Sequence, residues 1–127
     1  MNITKEELVE KAKEAMQRSY SPYSSFSVGA ALLCKDGTVY LGTNVENVSF
    51  GATCCAERVA IFSAIANGNK EFETIAISAT KIPCYPCGIC RQVMAEFCNE
   101  DFKVYMDNGI NVIEKSVEDL LPCSFDF

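Results

Sequence analysis

The 127-residue chain contains no histidine. This absence excludes Ser-His and Cys-His catalytic pairs, a histidine general base and any metal site with histidine ligands. Acid-base chemistry in this chain must therefore use carboxylates, tyrosine, lysine or cysteine. Long apolar runs are also lacking, because no stretch approaches the roughly 20 residues needed to span a bilayer. We therefore expect no membrane-spanning segment.

Clusters of basic residues are missing as well. The formal net charge is −6, and no run of lysine and arginine suited to phosphates occurs, which disfavours nucleic-acid and anionic-membrane partners. The N-terminal sequence mixes both charge signs where a signal peptide carries an apolar segment, so the simplest expectation is a cytoplasmic protein. With 49% apolar and 22% charged residues, the composition is typical of a globular protein. Its length predicts one domain, residues 1–127.

Helix and strand signals alternate along the chain. Thr4 and Glu7 stand at capping-box spacing and open an amphipathic helix that runs to about residue 19. Strands are predicted at 26–33, 38–45, 73–80, 102–107 and 111–114, the first two as a hairpin. Further helices are predicted at 54–66, 88–97 and 116–121. The order αββαβαββα indicates an α/β protein in which helices cover a sheet.

The chain is rich in cysteine, with eight copies. In a secreted protein these would suggest disulfides, but without an export signal metal binding or thiol chemistry is favoured. Cys87 and Cys90 form a CxxC whose thiols share one face of a helix. A third ligand must come from elsewhere, and either Cys54 or Cys55 opens the other buried helix. Helix N-termini favour thiolates, and a tetrahedral set of sulfur ligands selects zinc.

Glu57, close to the cysteine pair, indicates that the predicted zinc site is catalytic. Three protein ligands leave one zinc position open for water, as in catalytic rather than structural sites. Three thiolates reduce the ability of the metal to acidify that water, so a nearby carboxylate base is needed. Arg58 lies three residues after Cys55 and returns to the metal side, where its charge could partly neutralise the sulfurs.

Two other arrangements use some of the same cysteines. Cys84 and Cys87, completed by Cys54 or Cys55, would form a structural zinc knuckle, which leaves Glu57 without a role. A redox CxxC would need neither the upstream cysteine nor the glutamate. Four of the cysteines outside the favoured site are expected to be small buried apolar side chains: Cys34, Cys54, Cys98 and Cys123.

Two short motifs carry a resemblance to a known family. Cys55-Ala56-Glu57 followed by Pro86-Cys87-Gly88-Ile89-Cys90 resembles the CAE and PCxxC signature of the zinc-dependent nucleobase deaminases. Four further stretches resemble the cytidine deaminase family in particular: SPYSSFSVGAAL, TNVENVSFG, CRQVMAEF and LLPCSF. The resemblance implies a single-domain α/β/α sandwich with a mixed five-stranded sheet flanked by helices. It also implies zinc-dependent deamination of cytidine and 2′-deoxycytidine to uridine and 2′-deoxyuridine, with release of ammonia, in pyrimidine salvage.

The resemblance further implies a role for each matching residue. Zinc would be bound by Cys55, Cys87 and Cys90. Glu57 would move protons from the attacking water to the pyrimidine and the departing amine. The nucleoside would be held by base stacking on Phe26, by the backbone N–H of Ala56 and, at the ribose hydroxyls, by Asn44 and Glu46. Family members are commonly homotetramers in which the C-terminal phenylalanine, here Phe125, reaches a neighbouring subunit's site.

Two alternative functions stay open at this point. A related three-cysteine deaminase could act on a nucleoside antibiotic such as blasticidin S, although Asn44 and Glu46 favour a nucleoside with free sugar hydroxyls. A structural zinc module for protein contacts is the alternative from a different class. Phe50 stands where the family often has tyrosine, so a phenol hydroxyl is missing on the ribose side.

Overall fold

The fold is that of a computed structural model, which describes residues 3–127. Its elements follow the predicted order: α1 (Lys5–Met16), β1 (Val28–Cys34), β2 (Val39–Thr43), α2 (Ala56–Ala66), β3 (Phe72–Ala79), α3 (Gly88–Phe97), β4 (Lys103–Asp107), β5 (Val112–Ser116) and α4 (Val117–Leu120). A 3₁₀ turn at Phe50–Ala52 lies in a stretch expected to be a loop. The first two residues of the single domain predicted for 1–127 lie outside the described part.

The five strands form one mixed sheet in the order β2-β1-β3-β4-β5. β3 and β4 are parallel and are connected through α3, whereas the other neighbouring strands are antiparallel. One face packs against α1 through an apolar cluster that includes Leu8, Ala12 and Ala76. A larger cluster joins the opposite face to α2 and α3. The predicted α/β/α sandwich with a mixed five-stranded sheet is therefore confirmed.

Local signals explain where several helices begin and end. Thr4 and Glu7 form the predicted capping box at the start of α1, and Ser116 with Asp119 forms a second one at α4. Both pairs satisfy backbone N–H groups that have no partner inside the helix. The helix α2 ends just before Gly68, whose φ of 82° is a conformation that glycine adopts without steric cost. Every residue of β1 is buried, because helices cover both faces of this strand.

The peripheral cysteines follow the sequence prediction only in part. Cys34 is buried, and Cys54 and Cys98 are half-buried. Cys123 is exposed, so the expectation that it fills space in the core was wrong. Cys123 follows α4 in a C-terminal segment that is exposed on the surface, so no other part of the chain covers its side chain. Over residues 3–127, none of the helices combines the length and the apolar character needed to cross a membrane.

Candidate metal centre

Two helices begin at cysteines and bring three sulfur atoms together. Cys55 is the N-cap of α2 and Cys87 is the N-cap of α3, while Cys90 lies in the first turn of α3 and is buried. Neither capping cysteine uses its side chain to cap its helix. The sulfur atoms of all three residues lie within 4.8 Å of one another. They are therefore free to serve as ligands to one metal ion.

The spacing of the sulfurs fits zinc. Two sulfurs that are each about 2.3 Å from a tetrahedral zinc ion stand roughly 3.8 Å apart, and the Sγ atoms of Cys55 and Cys87 are 3.7 Å apart. Cys84, which the zinc-knuckle alternative needs, is not a member of this cluster, and neither is Cys54. The fold thus favours the arrangement with one free position over the knuckle.

The electrostatics of the cluster distinguish Cys55 from Cys54. The pKa of Cys55 is lowered to about 5, mainly because its sulfur accepts a hydrogen bond from Cys90 and also because Arg58 donates one to it. The Arg58 Nη2 atom is 3.4 Å from that sulfur. Burial raises the pKa of Cys54 instead. The same hydrogen bond and burial hold the pKa of Cys90 above its usual range. The opposite directions of the two pKa shifts favour Cys55 over Cys54 as the metal ligand at the start of α2.

Glu57 is a buried carboxyl next to this cluster. It is the second residue of α2, and only 3% of its surface is exposed. Burial raises its pKa to about 7, because the charged form loses its hydration there. Residues 55 and 57 do not share a side face of a helix, but a reactant lying across the helix N-terminus is within reach of both. The structure places both residues on the wall of one cavity.

That cavity, of about 260 Å³, collects most of the residues singled out in the sequence. Its lining includes Phe26, Asn44, Glu46, Cys55, Ala56, Glu57 and Cys87. Three of the expected residues lie outside the lining, and one of them, Arg58, contacts the Cys55 sulfur instead. Cys90 is buried within the sulfur cluster, and Phe125 is 70% exposed in the C-terminal segment. Within one chain, therefore, the cavity has no contribution from Phe125.

Asn44 and Glu46 are both held by the chain itself before any ligand is present. Asn44 Oδ1 accepts hydrogen bonds from the Ser19 hydroxyl and the Val28 N–H, and its Nδ2 donates to the Phe26 carbonyl oxygen at 2.8 Å. One N–H of the amide is left over from these bonds. Glu46 Oε1 accepts the backbone N–H groups of Tyr23 and Ser24, at 2.9 and 3.1 Å. Both side chains therefore have fixed orientations.

Ser24 and Arg91 are two supporting residues that the sequence did not single out for this site. The Ser24 hydroxyl donates to Glu46 Oε2 and accepts the Phe26 N–H at 3.0 Å, so it ties these two cavity residues together. Arg91 donates to the carbonyl oxygens of Pro86 and Leu120, at 2.7 and 2.6 Å, and so anchors the loop before Cys87. A lone serine in a loop and an arginine on a helix carry no sequence signal for such roles, since both depend on distant partners.

Comparison with known proteins assigns the fold and the cluster to a family. The model of the cytidine and deoxycytidylate deaminase zinc-binding region matches residues 2–106, which include all three cysteines of the cluster. The chain belongs to this deaminase family. A cytidine deaminase of Halalkalibacterium halodurans is 51% identical over 120 residues, covering 93% of this chain and 91% of the relative. One of Sporosarcina psychrophila is 48% identical over 122 residues, covering 94% and 90%.

A solved structure of the same family has the same fold. The crystal structure of a cytidine deaminase from Burkholderia pseudomallei superposes with a TM-score of 0.92 at 46% identity, covering 97% of this chain and all of that one. A blasticidin-S deaminase of Bacillus cereus is a more distant relative, 32% identical over 130 residues, with 94% of this chain and 90% of the relative covered. The resemblance drawn from the motifs is therefore confirmed, and zinc is the metal of this family's matched region.

Proposed function

We propose that the protein is a zinc-dependent hydrolase that deaminates cytidine and 2′-deoxycytidine to uridine and 2′-deoxyuridine, releasing ammonia. The observation that carries the proposal is a single cavity lined by Cys55, Cys87 and the buried Glu57 on one side and by Phe26, Asn44 and Glu46 elsewhere. Such a cavity offers a metal centre, an acid-base group and a nucleoside-sized set of contacts together. Membership of the deaminase family gives these groups their reaction.

Cys55, Cys87 and Cys90 are proposed to hold the zinc ion. Their three negative charges would exceed the charge of the ion, and the Arg58 guanidinium next to Cys55 reduces that excess. The N-termini of α2 and α3 act in the same direction, because the partial positive charge of a helix N-terminus stabilises thiolates. Zinc, when bound, supplies a Lewis acid that lowers the pKa of a water molecule and makes it a nucleophile near neutral pH.

Glu57 is proposed to carry the protons of the reaction. Its carboxylate, on the same wall as Cys55, accepts a proton from the attacking water. It passes this proton to the pyrimidine ring nitrogen, then takes the second proton from the hydroxyl formed on the ring carbon and gives it to the amino group, so that the C–N bond breaks and ammonia leaves. The water oxygen forms a bond to the ring carbon that loses nitrogen, so the products are a uracil ring and ammonia. Burial keeps bulk water from competing for these protons.

Four other groups are proposed to bind the nucleoside. Phe26 is half-buried at the cavity wall, where its ring can stack on the base. The N–H of Ala56, at the start of α2, points from a helix end whose first amides lack partners in the helix, and it would bind the pyrimidine carbonyl oxygen. The free N–H of Asn44 and the fixed carboxylate of Glu46 would bind the ribose hydroxyls.

The proposal is tested by incubating the purified protein with cytidine and measuring uridine, ammonia and zinc per chain. Uridine and ammonia should form in equal amounts, with one zinc per chain. Blasticidin S, offered under the same conditions, should be deaminated far more slowly, because the oriented Asn44 and Glu46 suit free sugar hydroxyls. Zinc without deamination of any nucleoside would contradict the proposal and favour a structural zinc module.

Replacement of Arg58 by glutamine is expected to lower kcat/KM about tenfold or more, the typical effect of removing a hydrogen bond to a charged group. The variant leaves the Cys55 thiolate with less compensating charge, so the bound metal should be a weaker Lewis acid. Arg18→Gln is the matched control, since Arg18 is exposed at the end of α1 and pairs with Glu14 at 3.8 Å. Unchanged turnover in Arg58→Gln would show that Arg58 does not contribute to catalysis.

Assembly and location follow as further proposals. We infer a homotetramer in which Phe125 reaches a neighbouring subunit's site, because large apolar side chains near the cavity and C-terminus are exposed in the single chain: Val48, Phe50, Ile89, Phe125 and Phe127. Sedimentation equilibrium should give four times the chain mass, and a monomer would contradict it.

The proposed location is the cytoplasm, because eight free thiols fit its reducing conditions. The proposed role there is pyrimidine salvage. Cell fractionation tests the location.

A further inference from the structure

Gly42 in β2 lies in direct contact with the first turn of α2. A methyl group in place of its hydrogen would stand 2.1 Å from the Ala56 carbonyl oxygen and 2.6 Å from the Ala60 nitrogen. These two atoms stand four residues apart at the start of α2, as the acceptor and donor of one hydrogen bond of its first turn. Cβ atoms in real proteins essentially never come within 3.0 Å of such backbone atoms. The backbone of β2 at Gly42 thus packs directly against the backbone at the start of α2, with no room for a side chain between them.

This contact matters because the metal centre is divided between two helices. Cys55 and Glu57 are placed by the first turn of α2, whereas Cys87 and Cys90 are placed by α3. A side chain at position 42 would force the start of α2 away from the sheet by roughly 1 Å. The separation of Cys55 from the other two sulfurs would then change, and metal-ligand distances tolerate only about 0.2 Å.

We infer that Gly42 is a positioning residue for the metal centre, in that its missing side chain sets the distance between Cys55 on α2 and the cysteines on α3. The inference rests on the proposed zinc site. Gly42 itself touches neither the metal position nor the cavity, since it is buried in β2 and does not line the cavity. Its effect must pass through the backbone of Ala56, the residue between Cys55 and Glu57.

Gly29 offers a matched control on the opposite face of the same sheet. A methyl group there would stand 1.9 Å from the Ala12 carbonyl oxygen and 2.5 Å from the Met16 nitrogen, so the clash with α1 is at least as severe. Gly29 lies in β1, beside the strand that carries Gly42. None of the proposed site residues lies on α1. A substitution at Gly29 should therefore disturb the fold without moving the metal centre.

The experiment compares the wild-type protein with Gly42→Ala and Gly29→Ala. The unfolding temperature, the zinc dissociation constant from competition with a chelator, and the visible spectrum of the cobalt(II) form are measured for each. Both variants should unfold at lower temperature. Gly42→Ala should bind zinc about 10- to 100-fold more weakly, the range seen when residues that orient metal ligands are lost, and its cobalt spectrum should change. Gly29→Ala should keep the wild-type zinc affinity and spectrum.

Two results would overturn the inference: wild-type zinc affinity in Gly42→Ala, or an equal loss of affinity in both variants, which would indicate general destabilisation. A wild-type protein that binds no zinc would instead contradict the proposed function. Should Gly42→Ala not fold, Ala60→Val enlarges the helix side of the same contact, where the Ala60 Cβ lies 2.9 Å from the added methyl position. It is then compared with Ala12→Val on α1, with the same expected difference in zinc affinity.

Discussion

Replacement of Glu57 by glutamine is expected to lower kcat for cytidine by about 10²- to 10⁴-fold, the usual contribution of a positioned acid-base group. Glutamine has nearly the same shape, so the cavity and the sulfur cluster should be unchanged. An amide, however, can neither accept the proton of the attacking water nor return it to the pyrimidine. The variant should therefore keep one zinc per chain and bind cytidine, while uridine formation nearly ceases.

The measurement pairs steady-state kinetics with metal analysis. Glu96→Gln is the matched control, because Glu96 is an exposed carboxylate on α3 that does not line the cavity, and its kcat should equal that of the wild type. If Glu57→Gln kept full turnover, another group would have to move the protons. A loss of zinc together with turnover would assign Glu57 to the metal instead of to the substrate.

Replacement of Cys55 by alanine is expected to abolish both zinc binding at stoichiometric metal and deamination. Loss of a group that merely orients a ligand costs about 10- to 100-fold in metal affinity, so loss of one of three ligands should exceed that. The remaining sulfurs, of Cys87 and Cys90, both belong to α3. Without Cys55, the sulfur cluster has no third member, because Cys54 does not belong to it.

The adjacent cysteine is the natural control for this prediction. Cys54→Ala removes a half-buried thiol outside the sulfur cluster, so zinc content and kcat should match the wild type, with a loss of stability of about 1 kcal/mol. Zinc content is measured after dialysis against metal-free buffer, and stability by thermal unfolding. The reverse pattern, with zinc lost in Cys54→Ala and kept in Cys55→Ala, would exchange the roles of the two cysteines.

Most of the fold could be predicted from local signals. Capping boxes, the glycine after α2 and the hairpin turn lie within a few residues of the structure they produce, so their meaning does not depend on distant parts of the chain. The boundary of α1 was less accurate, since Met16 ends a helix that the apolar pattern extended to about residue 19. Apolar spacing reports which face is buried, and it says little about where the last hydrogen bond forms.

The candidate site could likewise be predicted only where its residues are close in the sequence. Cys87 and Cys90 are linked by helical spacing, and Glu57 by its closeness to the cysteine pair, so these residues could be selected from the sequence. Cys123 could not be placed, because burial of a cysteine depends on what packs over it. The orientation of Glu46 by Ser24 likewise joins residues 22 positions apart, and no local pattern reports such a contact.

The sequence by itself determined the chemistry available to this protein: the absence of histidine left carboxylates, tyrosine, lysine and cysteine, and two short motifs indicated the family. Only the tertiary structure decided how those groups meet. The sulfur atoms of Cys55 and Cys87, which are 32 residues apart in the sequence, lie 3.7 Å from each other. They meet because α2 packs directly on β2 at Gly42, while α3 follows β3 on the same face of the sheet. Residue type sets what an atom can do, but distances between separate helices are set by how closely their backbones can pack.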